Sequence, residues 1–291
     1  MPVAHNGGVA VAYERAPPGD VETVVFVEGW SYGRWMWRWQ RAGLAEAYET
    51  VLYDNRGTGA SASPGLGMPW LLGKLPERPR QLLVYALHRG KYTIPTMASD
   101  LEAVLAEAGV ERAHVVGASM GGMIAQQYAL DYDRAASLTL LCTTAGGDME
   151  NLIPEETMAH LENVPAGIDA REEVKYLMEP ATTEGWRDAN PELLDDIVDW
   201  RLEQDASPQA RDAQALGQLG WDVRDAIESL DVPALVVHGD ADEVVPIERG
   251  EVVADRLPDA RLEVVEGGPH LFFVERPETV NERIEGFLAD V

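Results

Sequence analysis

The sequence predicts an α/β protein in which a mostly parallel central sheet is flanked by helices. Short apolar runs rich in β-branched residues alternate along the chain with stretches of helical periodicity. These runs lack the polar–apolar alternation of half-exposed strands, so we expect strands buried on both faces. Strands that are joined through helices pair in parallel, because a parallel crossover needs a connection long enough to hold a helix.

The elements follow one another with short connections through most of the chain. Strands are predicted at 9–14, 23–27, 50–53, 113–118, 137–142, 233–238 and 261–265. Helices are predicted at 33–47, 97–108, 123–130 and 278–288. The helix at 97–108 carries an apolar stripe that begins at Met97, and Gly109 follows it as a C-cap residue.

One long region has no strand-like run and contains only amphipathic helical pieces. Within it, Asn190-Pro191 and Ser207-Pro208 each place a capping residue before proline at the first helical position. Helices inserted at the carboxyl ends of parallel strands are well placed to cover a site there. We therefore predict a core of residues 1–146 and 219–291 and a helical cap of residues 147–218.

The segment 63–93 also breaks the alternation of strands and helices. It is rich in proline and glycine and is long for a connection between a strand and a helix. Its role is left open at this point.

The charge balance limits the possible partners. The chain has 50 acidic and 23 basic residues, a formal net charge of −27. Such a charge opposes binding to nucleic acid or to an anionic membrane surface. The acidic residues are spread along the chain, so we expect a solvated acidic surface of the kind that suits high salt, as in halophilic proteins.

The compartment is inferred from cysteine usage and from the absence of targeting signals. Cys142 is the only cysteine, so an intrachain disulfide is impossible. No secretory signal and no apolar run of about 18 residues is visible, and we expect a cytoplasmic protein that does not enter the membrane. The oligomeric state is left open.

The stretch Gly117–Gly122 has the pattern of a nucleophile elbow. A strand precedes Ser119 and a helix follows it, and the residues around the serine are small. The pattern G-x-S-x-G in this context is typical of a strained turn that presents a serine hydroxyl at the end of a sheet. Ser119 is therefore the predicted nucleophile.

A serine nucleophile needs a base and an acid that orients the base. His270 follows a predicted strand in a glycine-rich turn, which can present its ring at the same edge of the sheet, and it is the predicted base. The acid is expected between the serine and the histidine in the chain. Asp240, Asp242 and Glu243 all follow the preceding strand, and the residues themselves do not choose among them.

Taken together, these motifs resemble those of the α/β-hydrolase fold superfamily, in its branch of capped esterases, lactonases and haloperoxidase-like hydrolases. The segment Asp54–Ser61 also matches the D-x-R-G-x-G-x-S signature of that family. The resemblance covers about 20–146 and 219–291. It implies a helical cap inserted after the sixth strand, and the pattern G-x-x-D-x-x-x-P selects Asp242 as the acid.

The resemblance also implies an oxyanion hole made by the backbone N–H groups of Met120 and Trp30. Relatives carry histidine before the glycine that precedes the second donor, whereas this chain has Glu28. We expect the Glu28 side chain to point away from the hole or to be paired, and the alternative is that it binds a substrate amine. Tyr32 and Trp30 are candidates for an acyl pocket.

The sequence thus predicts a serine hydrolase that cleaves a carboxylic ester or lactone of a small molecule through an acyl-enzyme. The resemblance implies no cofactor and no metal. Three alternatives stay open: a proline-iminopeptidase-like aminopeptidase, a carbon–carbon hydrolase or lyase, and a non-catalytic ligand receptor on the same fold.

Overall fold

The computed structural model describes residues 1–16, 21–64, 76, 90–147 and 152–291. Eight strands form one sheet: β1 Val3–Asn6, β2 Val9–Arg15, β3 Thr23–Val27, β4 Glu49–Tyr53, β5 Ala113–Ala118, β6 Ala135–Leu141, β7 Ala234–Gly239 and β8 Ala260–Val265. Their order across the sheet is β1-β2-β4-β3-β5-β6-β7-β8. The pairs β1–β2 and β2–β4 are antiparallel and the other five are parallel, so the predicted fold class is confirmed.

Helices cover both faces of this sheet. Within the described residues the α-helices are α1 Arg38–Leu44, α2 Ile94–Glu107, α3 Met120–Asp131, α4 Glu155–Glu162, α5 Ala170–Met178, α6 Glu184–Ala189, α7 Pro191–Gln204, α8 Pro208–Gln218, α9 Ile247–Arg256, α10 Phe272–Glu275 and α11 Pro277–Leu288. A 3₁₀ turn, Arg34–Trp37, leads directly into α1. No helix in these parts of the chain is both long and apolar enough to cross a membrane.

The apolar core forms two layers, one on each face of the sheet. Val25 and Val115 belong to a layer with the buried residues of α2 and α3. Val24 and Val116 belong to the other layer, with α1, α10 and α11. Successive residues of a strand point to opposite faces, so the uninterrupted apolar runs of β3 and β5 supply both layers at once.

The parallel strands end at one common edge of the sheet. Val27 of β3 pairs with Gly117 of β5, and Leu141 of β6 pairs with both Ala118 of β5 and Val237 of β7. The connections that follow these strands therefore start side by side. This is the edge at which ligands bind in open α/β sheets.

Between β6 and β7 the described chain consists of helices without a strand, and we name residues 155–218 the helical insertion. Its helices α7 and α8 begin at Pro191 and Pro208, as predicted. Ser207 caps α8 by accepting a hydrogen bond from the Ala210 N–H, whereas the Asn190 amide donates instead to the Trp186 carbonyl. The division into core and cap at 146/147 and 218/219 stays a prediction.

Three elements lie outside the predicted pattern: β1, α9 and the four-residue helix α10. β1 has four residues, two of them polar, and it is recognisable only by its pairing with β2. α9 is amphipathic but carries few large apolar residues. The loop predicted at 63–93 lies for the most part outside the described residues.

Candidate active site

Ser119 lies in the sharp turn between β5 and α3. Its backbone has φ 55° and ψ −121°, in the left-handed half of conformational space that is costly for a residue with a side chain. Hydrogen bonds hold the turn on both sides, from the Ser119 N–H to the Leu141 carbonyl at 2.9 Å and from the Thr143 hydroxyl to the Ser119 carbonyl at 2.7 Å. Ser119 is partly exposed at the edge of the sheet.

The two glycines of the elbow pattern are required by close backbone approach. A Cβ on Gly117 would lie 2.3 Å from the Gly121 carbonyl oxygen, and a Cβ on Gly121 would lie 2.1 Å from the Val27 carbonyl oxygen. Both distances are shorter than real carbon–oxygen contacts allow. The start of α3 is therefore packed directly against the ends of β3 and β5, which fixes the position of Ser119.

His270 and Asp242 are brought together at this edge. Nδ1 of His270 lies 2.8 Å from Oδ2 of Asp242, and both side chains are buried. The other carboxylate oxygen, Oδ1, accepts hydrogen bonds from the Val244 and Val245 N–H groups, each at 2.8 Å. These bonds fix the orientation of the carboxylate toward the imidazole.

The two neighbouring carboxylates have other environments. Oδ1 of Asp240 accepts a hydrogen bond from the Gly267 N–H at 2.6 Å, and Asp240 is exposed. Glu243 is also exposed. The geometry thus favours Asp242, the residue that the resemblance selected among the three.

The pairing shifts the pKa values of both groups. Burial alone would raise the pKa of Asp242, but the charge of His270 and hydrogen bonds from His238 and His270 outweigh it and lower the pKa to about 2. Burial alone would lower the pKa of His270, but the charge of Asp242, with contributions from Cys142, raises it well above its usual range. Asp242 is therefore ionised at neutral pH and favours a protonated imidazole beside it.

A second histidine, which lies in β7, contacts Asp242. Nε2 of His238 lies 2.8 Å from the Val245 carbonyl oxygen and 3.5 Å from Oδ2 of Asp242. His238 has no exposed surface, so it acts within the protein interior. Its position at the end of a strand was visible in the sequence, but its contact with Asp242 depends on the loop that follows β7.

Cys142 is a further residue of the site that was not among the predicted site residues. It follows β6 directly, has φ 42°, and is fully buried. Its Sγ lies within 4.8 Å of a ring nitrogen of His270, and burial raises the pKa of the thiol. Its place at the carboxyl end of a central strand was the one signal in the sequence that pointed to the site.

One group of metal-ligating side chains occurs in the part of the chain that the structure describes. Potential ligand atoms of Cys142, Asp242 and His270 lie within 4.8 Å of one another. The short hydrogen bond between the carboxylate and the imidazole already uses two of these three groups. We therefore interpret these three side chains as a group that orients the His270 imidazole.

The two backbone groups predicted for the oxyanion hole lie on either side of the elbow. Met120 is the first residue of α3, where an N–H has no partner within the helix. Trp30 follows β3, and the preceding Gly29 lies against the elbow, since a Cβ there would be 3.5 Å from the Ala118 carbonyl oxygen. Among the described residues, neither the Met120 N–H nor the Trp30 N–H donates a backbone hydrogen bond.

Glu28 is fully buried and paired with the turn that follows β4. Its Oε2 accepts hydrogen bonds from the Asn55 N–H at 3.0 Å and from the Thr58 hydroxyl at 3.2 Å. Burial, followed by the negative charge of Asp54, raises the pKa of Glu28 well above its usual range, which favours the neutral carboxyl. A neutral carboxyl does not oppose an oxyanion, and a side chain without exposed surface does not reach a substrate amine.

Tyr32 lies between the core and the helical insertion. Its ring centroid is 5.6 Å from that of Trp35 in an edge-to-face arrangement, and the Arg201 guanidinium lies 4.6 Å from the Tyr32 ring centroid. Tyr32 is partly exposed. Trp30 is also partly exposed, and its Nε1 donates to the Arg211 carbonyl at 2.8 Å.

Comparison with known protein families agrees with the observed fold. A family model described as the alpha/beta hydrolase fold matches residues 22–277. This protein belongs to that family.

Relatives of known name extend over the whole chain. A protein of Azorhizobium caulinodans described as a candidate carbamate hydrolase, RutD, is 28% identical over 294 residues, which cover 100% of this chain and 99% of that protein. The solved structure of Est816, an N-acyl homoserine lactone degrading enzyme, is 28% identical with a TM-score of 0.77 and covers 98% of this chain and 100% of its own. A thermophilic esterase from Thermogutta terrifontis is 27% identical with a TM-score of 0.75 and covers 99% of this chain and 96% of its own. These similarities support a hydrolase as the class of enzyme.

Proposed function

We propose that this protein is a serine hydrolase that cleaves a carboxylic ester or lactone of a small molecule through an acyl-enzyme. The observation that carries the proposal is the buried hydrogen bond between His270 and Asp242, at the edge where a strained turn holds Ser119. A hydroxyl is a weak nucleophile until a base removes its proton, and the base needs a partner that fixes its tautomer. In the proposal Ser119 is the nucleophile, His270 the base and Asp242 the orienting carboxylate.

The reaction proceeds in two halves. The Ser119 oxygen bonds to the carbonyl carbon while its proton passes to Nε2 of His270, and the carbonyl electron pair moves to the oxygen. The N–H groups of Met120 and Trp30 stabilise this oxyanion. The tetrahedral intermediate collapses, the bond to the alkoxide breaks, and His270 gives the alkoxide its proton. Water then attacks the acyl-enzyme in the same way, and the proton returns to Ser119.

The relatives support this class of substrate. Their names refer to a carbamate, a lactone and esters, which are all acyl compounds that a serine nucleophile can attack. We propose that the helical insertion is the cap over the site. Tyr32 and Trp30, which are both partly exposed, are proposed to line the acyl pocket.

The environment of Glu28 argues against the aminopeptidase alternative. A proline-iminopeptidase-like enzyme needs a negative group for the free amine of its substrate. Glu28 has no exposed surface and is hydrogen-bonded to the Asn55 N–H, and its raised pKa favours the uncharged form, so it is not placed to supply such a group. The carbon–carbon hydrolase and the non-catalytic receptor use or retain the same side chains, and the turnover experiment below separates both of them from an ester or lactone hydrolase.

The test is labelling by a fluorophosphonate probe in molar salt. Wild-type protein, Ser119→Ala and the control Ser229→Ala are compared; the exposed Ser229 hydroxyl donates to the Ala226 carbonyl of its own 3₁₀ turn. We expect labelling of the wild type and the control and none of Ser119→Ala. Equal labelling of Ser119→Ala would contradict the proposal.

Turnover then decides the type of substrate. Small aryl esters and N-acyl homoserine lactones should be hydrolysed, and aminoacyl arylamides should not. Cleavage of arylamides alone would favour the aminopeptidase. Labelling without turnover of any ester, lactone or arylamide would favour the receptor or the carbon–carbon hydrolase.

A further inference from the structure

The loop that carries Trp30 is held by the helical insertion through a row of hydrogen bonds. These bonds are Trp30 Nε1 to the Arg211 carbonyl at 2.8 Å, Ser31 N–H to Gln214 Oε1 at 2.9 Å, Ala206 N–H to the Ser31 carbonyl at 2.8 Å, Gly33 N–H to Asp205 Oδ1 at 3.1 Å and Trp35 N–H to Gln204 Oε1 at 3.1 Å. All the partners come from the end of α7, the first two turns of α8 and the turn between the two helices. This side of the insertion is therefore bound to the core loop and does not simply rest on it.

Gln214 is the buried centre of this contact. The side chain has no exposed surface, and both of its polar atoms are used. Oε1 accepts from the Ser31 N–H, and Nε2 donates to the Arg56 carbonyl at 3.1 Å. One partner is a donor and the other an acceptor, so the amide has a single favourable orientation. Loss of the side chain would leave a buried N–H and a buried carbonyl without partners, which is costly.

Ser31 needs this support because of its backbone conformation. It has φ 71°, in the left-handed region that residues with a side chain rarely adopt. Gln214 binds its N–H and Ala206 binds its carbonyl, so both sides of the strained residue are fixed from the insertion. Strained backbone of this kind persists only where the surroundings hold it.

We propose that Gln214 is a positioning residue of the oxyanion hole. It fixes the peptide between Trp30 and Ser31 and thereby aims the preceding Trp30 N–H at the carbonyl that Ser119 attacks. On the other side of Trp30, Gly29 lies next to the elbow that carries Ser119. The inference rests on the proposed function, because the oxyanion hole belongs to that mechanism. The insertion then contributes to the chemical step in addition to covering the site.

Loss of the Gln214 hydrogen bonds should change kcat and leave KM almost unchanged. A misplaced oxyanion donor weakens binding of the transition state and leaves binding of the ground-state ester almost unchanged. Removal of a whole donor costs about 10²–10³-fold in kcat, so a loosened donor should cost about 10–100-fold. KM should stay within about twofold, in the pattern of an interaction made in the transition state.

The experiment compares Gln214→Met with Gln218→Met in the full-length protein. Methionine keeps the length of glutamine and removes both hydrogen bonds. Gln218 lies one turn further along α8, and its amide donates to the Gln214 carbonyl of the same helix. The readouts are kcat and KM for an ester, and the inhibition constant of a trifluoromethyl ketone, whose adduct with a serine resembles the tetrahedral intermediate.

We expect kcat and ketone affinity to fall together in Gln214→Met, with KM unchanged and Gln218→Met like the wild type. A raised KM at unchanged kcat would overturn the inference and make Gln214 a substrate-binding residue. If Gln214→Met does not fold, Gln214→Asn provides the second comparison, because its shorter amide cannot reach both Ser31 and Arg56. A folded variant with wild-type kcat overturns the inference.

The failure of this inference differs from failure of the proposed function. If the proposed function is wrong, the wild type and Ser119→Ala behave alike toward the probe. If only the role of Gln214 is wrong, the wild type is active, Ser119→Ala is inactive, and Gln214→Met and Gln214→Asn keep the kcat of the wild type.

Discussion

Nδ1 of His270 lies 2.8 Å from Oδ2 of Asp242, in a contact buried below the edge of the sheet. Because Oδ1 of the same carboxylate is held by two backbone N–H groups, the carboxylate cannot turn away without losing both bonds. Because Nδ1 of His270 faces a carboxylate, Nδ1 carries the proton. Nε2 is then the nitrogen that can accept a proton from the reacting hydroxyl.

Asp242→Asn should lower kcat by about 10³–10⁴-fold, since an amide favours the wrong tautomer of the imidazole. The measurement is the kcat for hydrolysis of an aryl ester. The matched control is Asp240→Asn, which changes an exposed carboxylate two residues earlier that bonds to Gly267. Its activity should stay within a few-fold of the wild type. Equal losses in both variants would contradict the role of Asp242.

The pH dependence of kcat/KM should be displaced to alkaline values. Burial lowers the pKa of His270, but the charge of Asp242 outweighs it and raises the pKa well above 6.5. The free base appears only as pH rises through this raised pKa, so the acidic limb should lie above pH 6.5. Asp242→Asn removes the charge that raises the pKa, so the acidic limb of its residual activity should move to lower pH. An acidic limb at or below pH 6.5 in the wild type would contradict this account.

Glu28→Gln should stabilise the protein at pH 7 but not near pH 4. The pKa of Glu28 in the folded state is raised, so between about pH 4.3, where the unfolded chain loses the proton, and the raised pKa, the folded state binds one proton more. Stability of the wild type therefore falls with rising pH in this window, and a glutamine that cannot ionise avoids the loss. Chemical denaturation at pH 4, 5.5 and 7 measures the difference. A variant that is less stable than the wild type at pH 7 would show that the carboxyl is required as an anion.

Two glycine-to-alanine changes in helices should have opposite effects. Gly121→Ala places a methyl group 2.1 Å from the Val27 carbonyl oxygen, which backbone must move to accommodate, so it should destabilise by about 3 kcal/mol or more and reduce activity. Gly286 lies in α11, and a Cβ there meets nothing within 4 Å. Gly286→Ala should stabilise by about 0.5–1 kcal/mol through helix propensity. Thermal unfolding followed by circular dichroism compares the two.

Stability should rise with salt. The net charge of −27 makes self-repulsion large at low ionic strength, and the screening length falls from about 10 Å at 0.1 M to about 3 Å at 1 M salt. The melting temperature at pH 7 should increase by several degrees between dilute buffer and molar KCl. At a pH where the net charge of the protein is close to zero, the same increase in KCl should raise the melting temperature less. A melting temperature at pH 7 that is independent of KCl would remove the inference of salt adaptation.

The strands of the sheet could be predicted because buried parallel strands are apolar on both faces. β3, β5 and β7 are uninterrupted runs of buried residues, and local sequence is enough to locate them. β1 was missed because four residues of mixed polarity have no such pattern, and only the pairing with β2 defines it.

The site was predictable where its chemistry is local. The elbow around Ser119 is a contiguous pattern, whereas the choice of Asp242 over Asp240 and Glu243 needed a family pattern. The contact of Cys142 with His270 and the bonds of Gln214 were not predicted. The bond from Gln214 to Ser31 joins residues 183 positions apart, and no local pattern encodes such a contact.

The bonds between the insertion and the Trp30 loop also limit how such an enzyme can be re-engineered. A transplanted cap that lacked an equivalent of Gln214, and the residues that hold Ser31, would change the acyl pocket and loosen an N–H group of the reaction centre in the same step. Substrate scope and turnover number would then be difficult to optimise separately. A chimaera of this protein should therefore retain residues 204–214 from the native chain and exchange only the helices before them.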